Sequence, residues 1–191
     1  MLAMMAFRPS TFDDEDRTHA AAWKASAMDG SVIARLDEIY GRVGAEIAER
    51  RPVCEASGRC CNFAKYGHLL YVTGLEAACT IQRARAVVAD PRAPHRIAGD
   101  ETNSDTTSRP LPILSKAPTL DACPFLVGTS CGVHTIKPLG CRVYFCDPTA
   151  QEWQHDLSER ALGWIRELHD ELGVSYRYAE WRWLLALLDA E

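Results

Sequence analysis

Two cysteine-rich segments constrain this chain more than any other feature. Seven of its eight cysteines fall in these segments, and the members are Cys54, Cys60, Cys61, Cys123, Cys131, Cys141 and Cys146. The adjacent thiols of Cys60 and Cys61 are poorly placed to bridge each other, so each needs a partner elsewhere in the fold. We therefore expect a fold that brings the two segments together around a site built from thiols.

The expected compartment decides how these thiols are interpreted. The N-terminus lacks a signal-peptide apolar region of normal length, its only basic residue is the late Arg8, and no apolar run could span a membrane. We therefore predict a cytoplasmic protein. In a reducing compartment such a pattern is typical of metal-binding or catalytic thiols, with disulfides or separately reactive thiols as the alternatives.

The predicted ligands are all seven clustered cysteines. Thiolate is a soft ligand that suits zinc, copper(I) and iron–sulfur clusters. Zinc sites usually draw on Cys-x-x-Cys pairs, and the chain contains none. The irregular spacing, together with the Cys123-Pro124 pair, favours an iron–sulfur cluster over zinc. His134 is the better reserve ligand and His68 the weaker one, whereas His169 is expected on a helix surface.

Composition excludes other classes of function. The net charge is −5 and no long run of Lys or Arg occurs, so a nucleic-acid surface is not predicted. No glycine-rich phosphate or dinucleotide motif is present. The hydrophobic fraction of 47% and charged fraction of 25% are typical of a globular domain with a core of its own.

The long segments around the cysteines show helical periodicity, so we predict a mainly α fold. An acidic turn at 11–15 leads into a helix over 17–28, and Ser31 caps a second helix that Pro52 ends. A third helix covers 74–89, and Thr73 with Glu76 forms its capping box.

Two further helices are predicted after the second cysteine segment. Thr149 and Glu152 form a capping box for a helix that Gly173 ends, and a last, nearly all-apolar helix covers 178–188. Cys79 lies within the third helix and is expected in the core, although ligation is an alternative.

We predict one compact helical domain over 1–191, with irregular cysteine-rich loops gathered around the metal site. Its parts are a helical segment at 11–52, the cysteine region at 53–147 with a surface loop at about 90–119, and C-terminal helices at 148–191.

The two segments together resemble the YkgJ-type cysteine-cluster family, a zinc- or iron-chelating domain. Its first signature, Cys-x-x-Cys-x-x-Cys-Cys, is matched at Cys54, Cys60 and Cys61, while Ser57 replaces one cysteine. The matches to its second signature are Cys123-Pro124-Phe125-Leu126, Cys131, Lys137-Pro138, Cys141-Arg142 and Cys146. The resemblance covers about residues 53–147 and implies a metal-chelating domain. A similar domain occurs in flagellin lysine methylases, but no S-adenosylmethionine-binding pattern is visible here.

Three functions follow as hypotheses. The first is a metal-binding protein whose iron–sulfur cluster or zinc has a redox or metal-dependent role. The second is an enzyme that uses the metal to modify a protein or small molecule by methyl transfer or oxidation. The third is a structural zinc site. Polar groups expected near the cysteines are Arg59, Lys65, Tyr66, His134, Arg142 and Tyr144. Of these, Arg142 and Tyr144 are expected nearest the metal, where they neutralise thiolate charge and pack.

Overall fold

The computed structural model describes residues 12–55, 57–89 and 122–190, and it confirms the mainly α prediction. Its helices are α1 (Asp14–Ala27), α2 (Gly30–Arg50), α3 (Phe63–Tyr66), α4 (Gly74–Ala89), α5 (Leu139–Arg142), α6 (Gln151–Leu172) and α7 (Trp181–Asp189). Its strands are β1 (Tyr71–Thr73), β2 (Leu126–Val127), β3 (Ser130–Cys131) and β4 (Tyr178–Glu180). Short 3-10 turns cover Arg59–Cys61 and Pro148–Ala150. The surface loop predicted at about 90–119 lies outside the described residues.

The first two helices start at aspartate caps. Asp13 caps α1 through a capping box with Asp16, so the helix begins earlier than predicted. The predicted cap of α2, Ser31, is wrong, because Asp29 accepts the N–H of Ser31 and the helix begins at Gly30. The end of α2 follows the prediction closely, with Arg51 in the left-handed conformation directly before Pro52.

The core lies where α1 and α7 pack against α4, and where α2 packs against α6. Trp23 and Trp181 are its largest fully buried side chains. Gly74 opens α4 against the Trp23 ring, and a Cβ at this position would come within 2.5 Å of the ring carbons. Cys79 is buried in the same core, as predicted, and burial raises the pKa of its thiol to about 12.

A small antiparallel sheet joins the middle of the chain to its end. In the register of β1 and β4, Tyr71 pairs with Glu180 and Thr73 with Tyr178. The last helix therefore begins at Trp181 and not at Tyr178, because the residues before it form a strand. The sheet leads directly into the mostly apolar helix α7, whose buried apolar side chains are Trp181, Leu184, Leu185, Leu187 and Leu188.

Helix α4 begins at Gly74, as its capping box predicts. The Glu76 carboxylate accepts the N–H and the hydroxyl of Thr73 at 3.0 and 2.9 Å. Its other oxygen accepts the Tyr40 hydroxyl and the Leu139 N–H, each at 2.8 Å. Glu76 is fully buried, so this one side chain ties α4 to β1, α2 and the start of α5.

Two predictions about α6 are wrong. Thr149 and Glu152 do not cap it, because Asp147 accepts the Thr149 N–H and hydroxyl and sets a 3-10 turn before the helix. His169 is fully buried and not on the surface, with its Nδ1 3.1 Å from the carbonyl oxygen of Val174. The helix ends at Gly173 in the left-handed conformation, as predicted.

Among the helices of the described residues, none is long and apolar enough to cross a membrane.

Candidate metal centre

The first cysteine segment turns back on itself before its two adjacent thiols. Gly58 has a φ of +69°, which favours glycine, and a Cβ here would come within 3.1 Å of the Thr129 carbonyl oxygen. The 3-10 turn that follows places the Cys60 and Cys61 sulfurs 3.9 Å apart. Cys61 is buried and Cys60 is half-buried. The turn therefore brings the first pair of thiols directly against the second segment.

The second segment reaches the same place through a main-chain contact and a hairpin. The Cys123 N–H donates to the Cys61 carbonyl at 2.7 Å. Strands β2 and β3 then form a hairpin in which Leu126 pairs with Cys131. Cys123 is buried and Cys131 is half-buried. Two thiols of the second segment are thus positioned beside those of the first.

A third element, α5, carries Cys141. Gly140 lies so close to β1 that a Cβ would come within 2.5 Å of the Tyr71 carbonyl oxygen. The Leu139 N–H is held by Glu76, which fixes the start of this short helix. Cys141 is therefore positioned by the same buried carboxylate that caps α4.

Cys61 is the centre of the resulting group of thiols. The thiols of Cys123, Cys131 and Cys60 interact with that of Cys61 and, together with burial, raise its pKa far above the ordinary 9.0. Cys61 therefore keeps its proton, which it can donate to one neighbouring sulfur at a time. The bond from Cys61 lowers the pKa of Cys60 to about 6 and that of Cys131 to about 7.

The two remaining thiols of the group differ from each other. The bond from Cys61 also lowers the pKa of Cys123, whose sulfur accepts the indole N–H of Trp181 at 3.4 Å. Burial raises the pKa of Cys141 well above its ordinary value, and the charges of Cys123 and Cys131 raise it further. We call Cys60, Cys61, Cys123, Cys131 and Cys141 the inner thiols.

The structure places the two other predicted ligands elsewhere. Cys54 is exposed, and Cys146 lines a surface cleft with Arg59 and Tyr144. None of the interactions described for the inner thiols involves either of them. The structure therefore brings five of the seven predicted cysteines together and leaves two outside that group.

The two histidines considered as reserve ligands lie in different surroundings. His134 is exposed, and its Nε2 lies 3.3 Å from the Lys137 ammonium. His68 lies closer to the inner thiols, with its Nε2 3.3 Å from the Cys60 carbonyl oxygen and its ring stacked on Tyr144. Its Nδ1 is buried without a hydrogen-bond partner. His68 is thus the histidine that adjoins the thiols.

The basic groups also depart from expectation. Arg142 was predicted beside the metal, but its guanidinium lies 4.2 Å from the Tyr40 ring centre and donates to the Thr135 carbonyl. Lys137 is the cation whose charge favours the thiolates of Cys60 and Cys131. Sequence reasoning did not select Lys137, although its place between two cysteines of the second segment was a usable signal.

Tyr144 does lie near the thiols, as predicted, and it borders the cleft. Burial raises its pKa, and the charges of Cys146 and Cys60 raise it further. The cleft encloses about 320 Å³ and is also lined by Arg59, Tyr66 and Gln151. The Lys65 ammonium lies 5.3 Å from the centre of the Tyr66 ring, beside the cleft. Tyr144 thus lines this open space and also interacts with Cys60.

Within the described residues, no three Cys, His, Asp or Glu side chains form an arrangement ready to hold a metal ion. Ligation by the inner thiols would therefore require side-chain movement and loss of the protons that Cys61 and Cys141 keep. No family model, curated protein or solved structure matches the chain.

Proposed function

We propose that this protein binds an iron–sulfur cluster or zinc through its inner thiols and uses that centre in a redox or metal-dependent role. One observation carries the proposal: a main-chain hydrogen bond of 2.7 Å joins Cys61 to Cys123 in the other cysteine segment, and the Cys61 thiol interacts with those of Cys60, Cys123 and Cys131. The thiols of Cys60, Cys123 and Cys131 are partly or fully buried and have lowered pKa values, so their thiolates are costly unless a cation neutralises them. Soft metal centres supply that cation.

The surroundings suit a thiolate centre. The Trp181 N–H donates to the Cys123 sulfur, and a hydrogen bond to a thiolate sulfur adjusts how strongly it binds a metal. The Lys137 charge offsets part of the negative charge that four thiolates would carry. His68, with one buried nitrogen unpartnered, adjoins the same site and offers a further polar contact.

The thiol spacing bears on the identity of the metal. Four sulfurs at about 2.3 Å from one zinc ion lie roughly 3.8 Å apart, close to the Cys60–Cys61 distance of 3.9 Å. In the part of the chain that the structure describes, however, no third ligand is preformed with this pair. An iron–sulfur cluster, whose thiolates bind different iron atoms, suits a looser group of thiols. We therefore keep the cluster as the favoured occupant and zinc as the alternative.

A purely structural role is the weaker proposal. The helices α1, α2, α4, α6 and α7 already share a core that includes Trp23 and Trp181 and needs no metal to assemble. The match of both cysteine segments to the YkgJ-type pattern supports membership of that family. A cytoplasmic location, where thiols stay reduced, accords with the same proposal.

Elemental analysis and absorption spectra of anaerobically purified protein test the proposal. A brown protein that dithionite bleaches would carry an iron–sulfur cluster, and stoichiometric zinc without a visible band would identify zinc. Cys61→Ala should lose most of the metal, and Cys141→Ala should lose it as well. Cys79→Ala, which removes a core thiol, is the matched control and should retain it.

Protein that contains neither metal after anaerobic purification and zinc or iron reconstitution would refute the proposal. Equal metal content in Cys61→Ala and wild type would refute the assignment of the inner thiols.

A further inference from the structure

The cleft beside the inner thiols has the features of a binding site of its own. We propose that it binds small carboxylate-bearing disulfides and that Cys146 exchanges with them. This inference rests on the proposed function in one respect only. It takes the inner thiols as the metal ligands and Cys146 as a thiol that does not bind the metal. The cleft of about 320 Å³ has Cys146 in its wall, together with Arg59 and two tyrosines.

Arg59 supplies the positive charge for the carboxylate. Its guanidinium is half-exposed and has one carboxylate partner, Glu55, at the long distance of 3.7 Å. It also interacts electrostatically with Cys146, so charge and thiol share one part of the cleft. A guanidinium is well suited to bind a carboxylate through two parallel hydrogen bonds.

The cleft carries charges of both signs. The Asp147 carboxylate lines it and accepts the N–H of Val53 at 3.2 Å and the N–H and hydroxyl of Thr149. Lys65 and Arg59 both lie beside the Tyr66 ring, and they lower the Tyr66 pKa. The Tyr66 side of the cleft therefore offers two cations to a carboxylate ligand.

Aromatic rings make the cleft suitable for a flat organic ligand. Tyr66 and Tyr144 each expose more than a third of their surface. Phe145 also lines the cleft and packs against Trp153, with ring centres 5.4 Å apart. Aromatic side chains stack favourably on flat groups, while Arg59 selects those that carry negative charge.

The reaction is thiol–disulfide exchange. The Cys146 thiol loses its proton to solvent, and its thiolate attacks one sulfur of the ligand disulfide. A new bond forms between Cys146 and that sulfur while the ligand S–S bond breaks, and the other half leaves as a thiolate. Cys146 is oxidised to a mixed disulfide and the ligand is reduced by the same two electrons.

Stopped-flow thiol labelling tests the inference with two probes. Dithiobis(nitrobenzoate) is an aromatic disulfide with two carboxylates, and dithiodipyridine is a neutral aromatic disulfide of similar shape. The measurement uses full-length protein with Cys54→Ser, because the Cys54 thiol is exposed and would react with both probes. Metal content is determined on every sample.

We expect one fast equivalent with the anionic probe, and it should disappear in Cys146→Ser. Arg59→Gln should slow that phase about tenfold and change the neutral probe less than about twofold, because only the charged contact is lost. Arg85→Gln is the control. It also removes one positive charge, but on α4, where Arg85 pairs with Asp189, and it should alter the rate with neither probe.

A fast phase that survives Cys146→Ser would overturn the assignment of the thiol. Equal slowing of both probes by Arg59→Gln, or no slowing, would overturn the carboxylate site. Protein that takes up neither iron nor zinc on reconstitution but retains the charge-selective phase would refute the proposed metal function while leaving this inference intact. Circular dichroism of each variant identifies any that fail to fold, and Arg59→Lys then provides a milder test, in which partial charge selectivity is expected.

Discussion

Replacing Glu76 with glutamine barely changes the shape of the side chain but should lower the stability of this fold strongly. Its buried carboxylate accepts four hydrogen bonds, from the Tyr40 hydroxyl, the Leu139 N–H, and the N–H and hydroxyl of Thr73. Burial raises the Tyr40 pKa well above its ordinary value, and the charge of Glu76 raises it further. The phenol therefore stays protonated and remains a donor.

Glu76→Gln keeps the side-chain volume but replaces one of the two acceptor oxygens with an NH₂ group. If the amide oxygen faces Tyr40 and Leu139, the amide NH₂ faces the Thr73 N–H and leaves that donor unpaired, at a cost of about 1–3 kcal/mol. The two retained bonds become neutral and lose roughly 1 kcal/mol each, since bonds to charged groups are about twice as strong. We expect the free energy of unfolding to fall by about 3 kcal/mol.

Urea denaturation followed by circular dichroism measures this loss, and thermal unfolding should show a midpoint about 6–12 °C lower for a chain of this size. Glu167→Gln, on the exposed face of α6, is the matched control and should change stability by less than about 0.5 kcal/mol. A loss for Glu76→Gln below about 1 kcal/mol would refute the reasoning. Because Glu76 also holds Leu139, the variant should load less metal at Cys141.

Two further predictions test other parts of the structure. Gly140→Ala should destabilise the protein by about 1–3 kcal/mol, measured by urea denaturation, because the new Cβ would meet the Tyr71 carbonyl oxygen at 2.5 Å; unchanged stability would show that α5 can move away from β1. Burial lowers the His169 pKa below its ordinary 6.5, so the neutral ring contributes stability above that pH, and this contribution is lost as the pH falls through the folded-state value. Denaturation between about pH 7.5 and about 5 should therefore show a smaller loss for His169→Gln than for wild type, and equal losses would contradict this assignment.

Local signals predicted the parts of the fold that depend on neighbouring residues. The start of α4 was predictable because Thr73 and Glu76 complete each other's hydrogen bonds within one turn. The same reasoning failed at Thr149, because Asp147 competes for its N–H from two residues upstream. Where two neighbouring residues could each cap the same turn, the sequence pattern alone does not show which of them does.

Contacts between distant segments account for the remaining errors. The sequence predicts that the last helix begins at about residue 178, but pairing with β1 extends residues 178–180 as a strand. His169 has no sequence mark of burial, since the carbonyl that it contacts comes after the turn at Gly173. Likewise, the sequence pattern selected the cysteine segments but could not show that Cys61 is central or that Cys146 lies in a separate cleft.

The hydrogen bond from the Cys123 N–H to the Cys61 carbonyl joins the two cysteine segments through main-chain atoms alone. No substitution other than proline at position 123 removes either atom, so the segments can stay in register when a thiol is replaced or oxidised. A metal delivered to the proposed centre would therefore bind a chain that has already folded. It would pass from the ligands of the molecule that delivers it to the thiols of the centre, one thiol at a time. Loading would then be limited by the rate of ligand exchange and thiol deprotonation, with folding already complete.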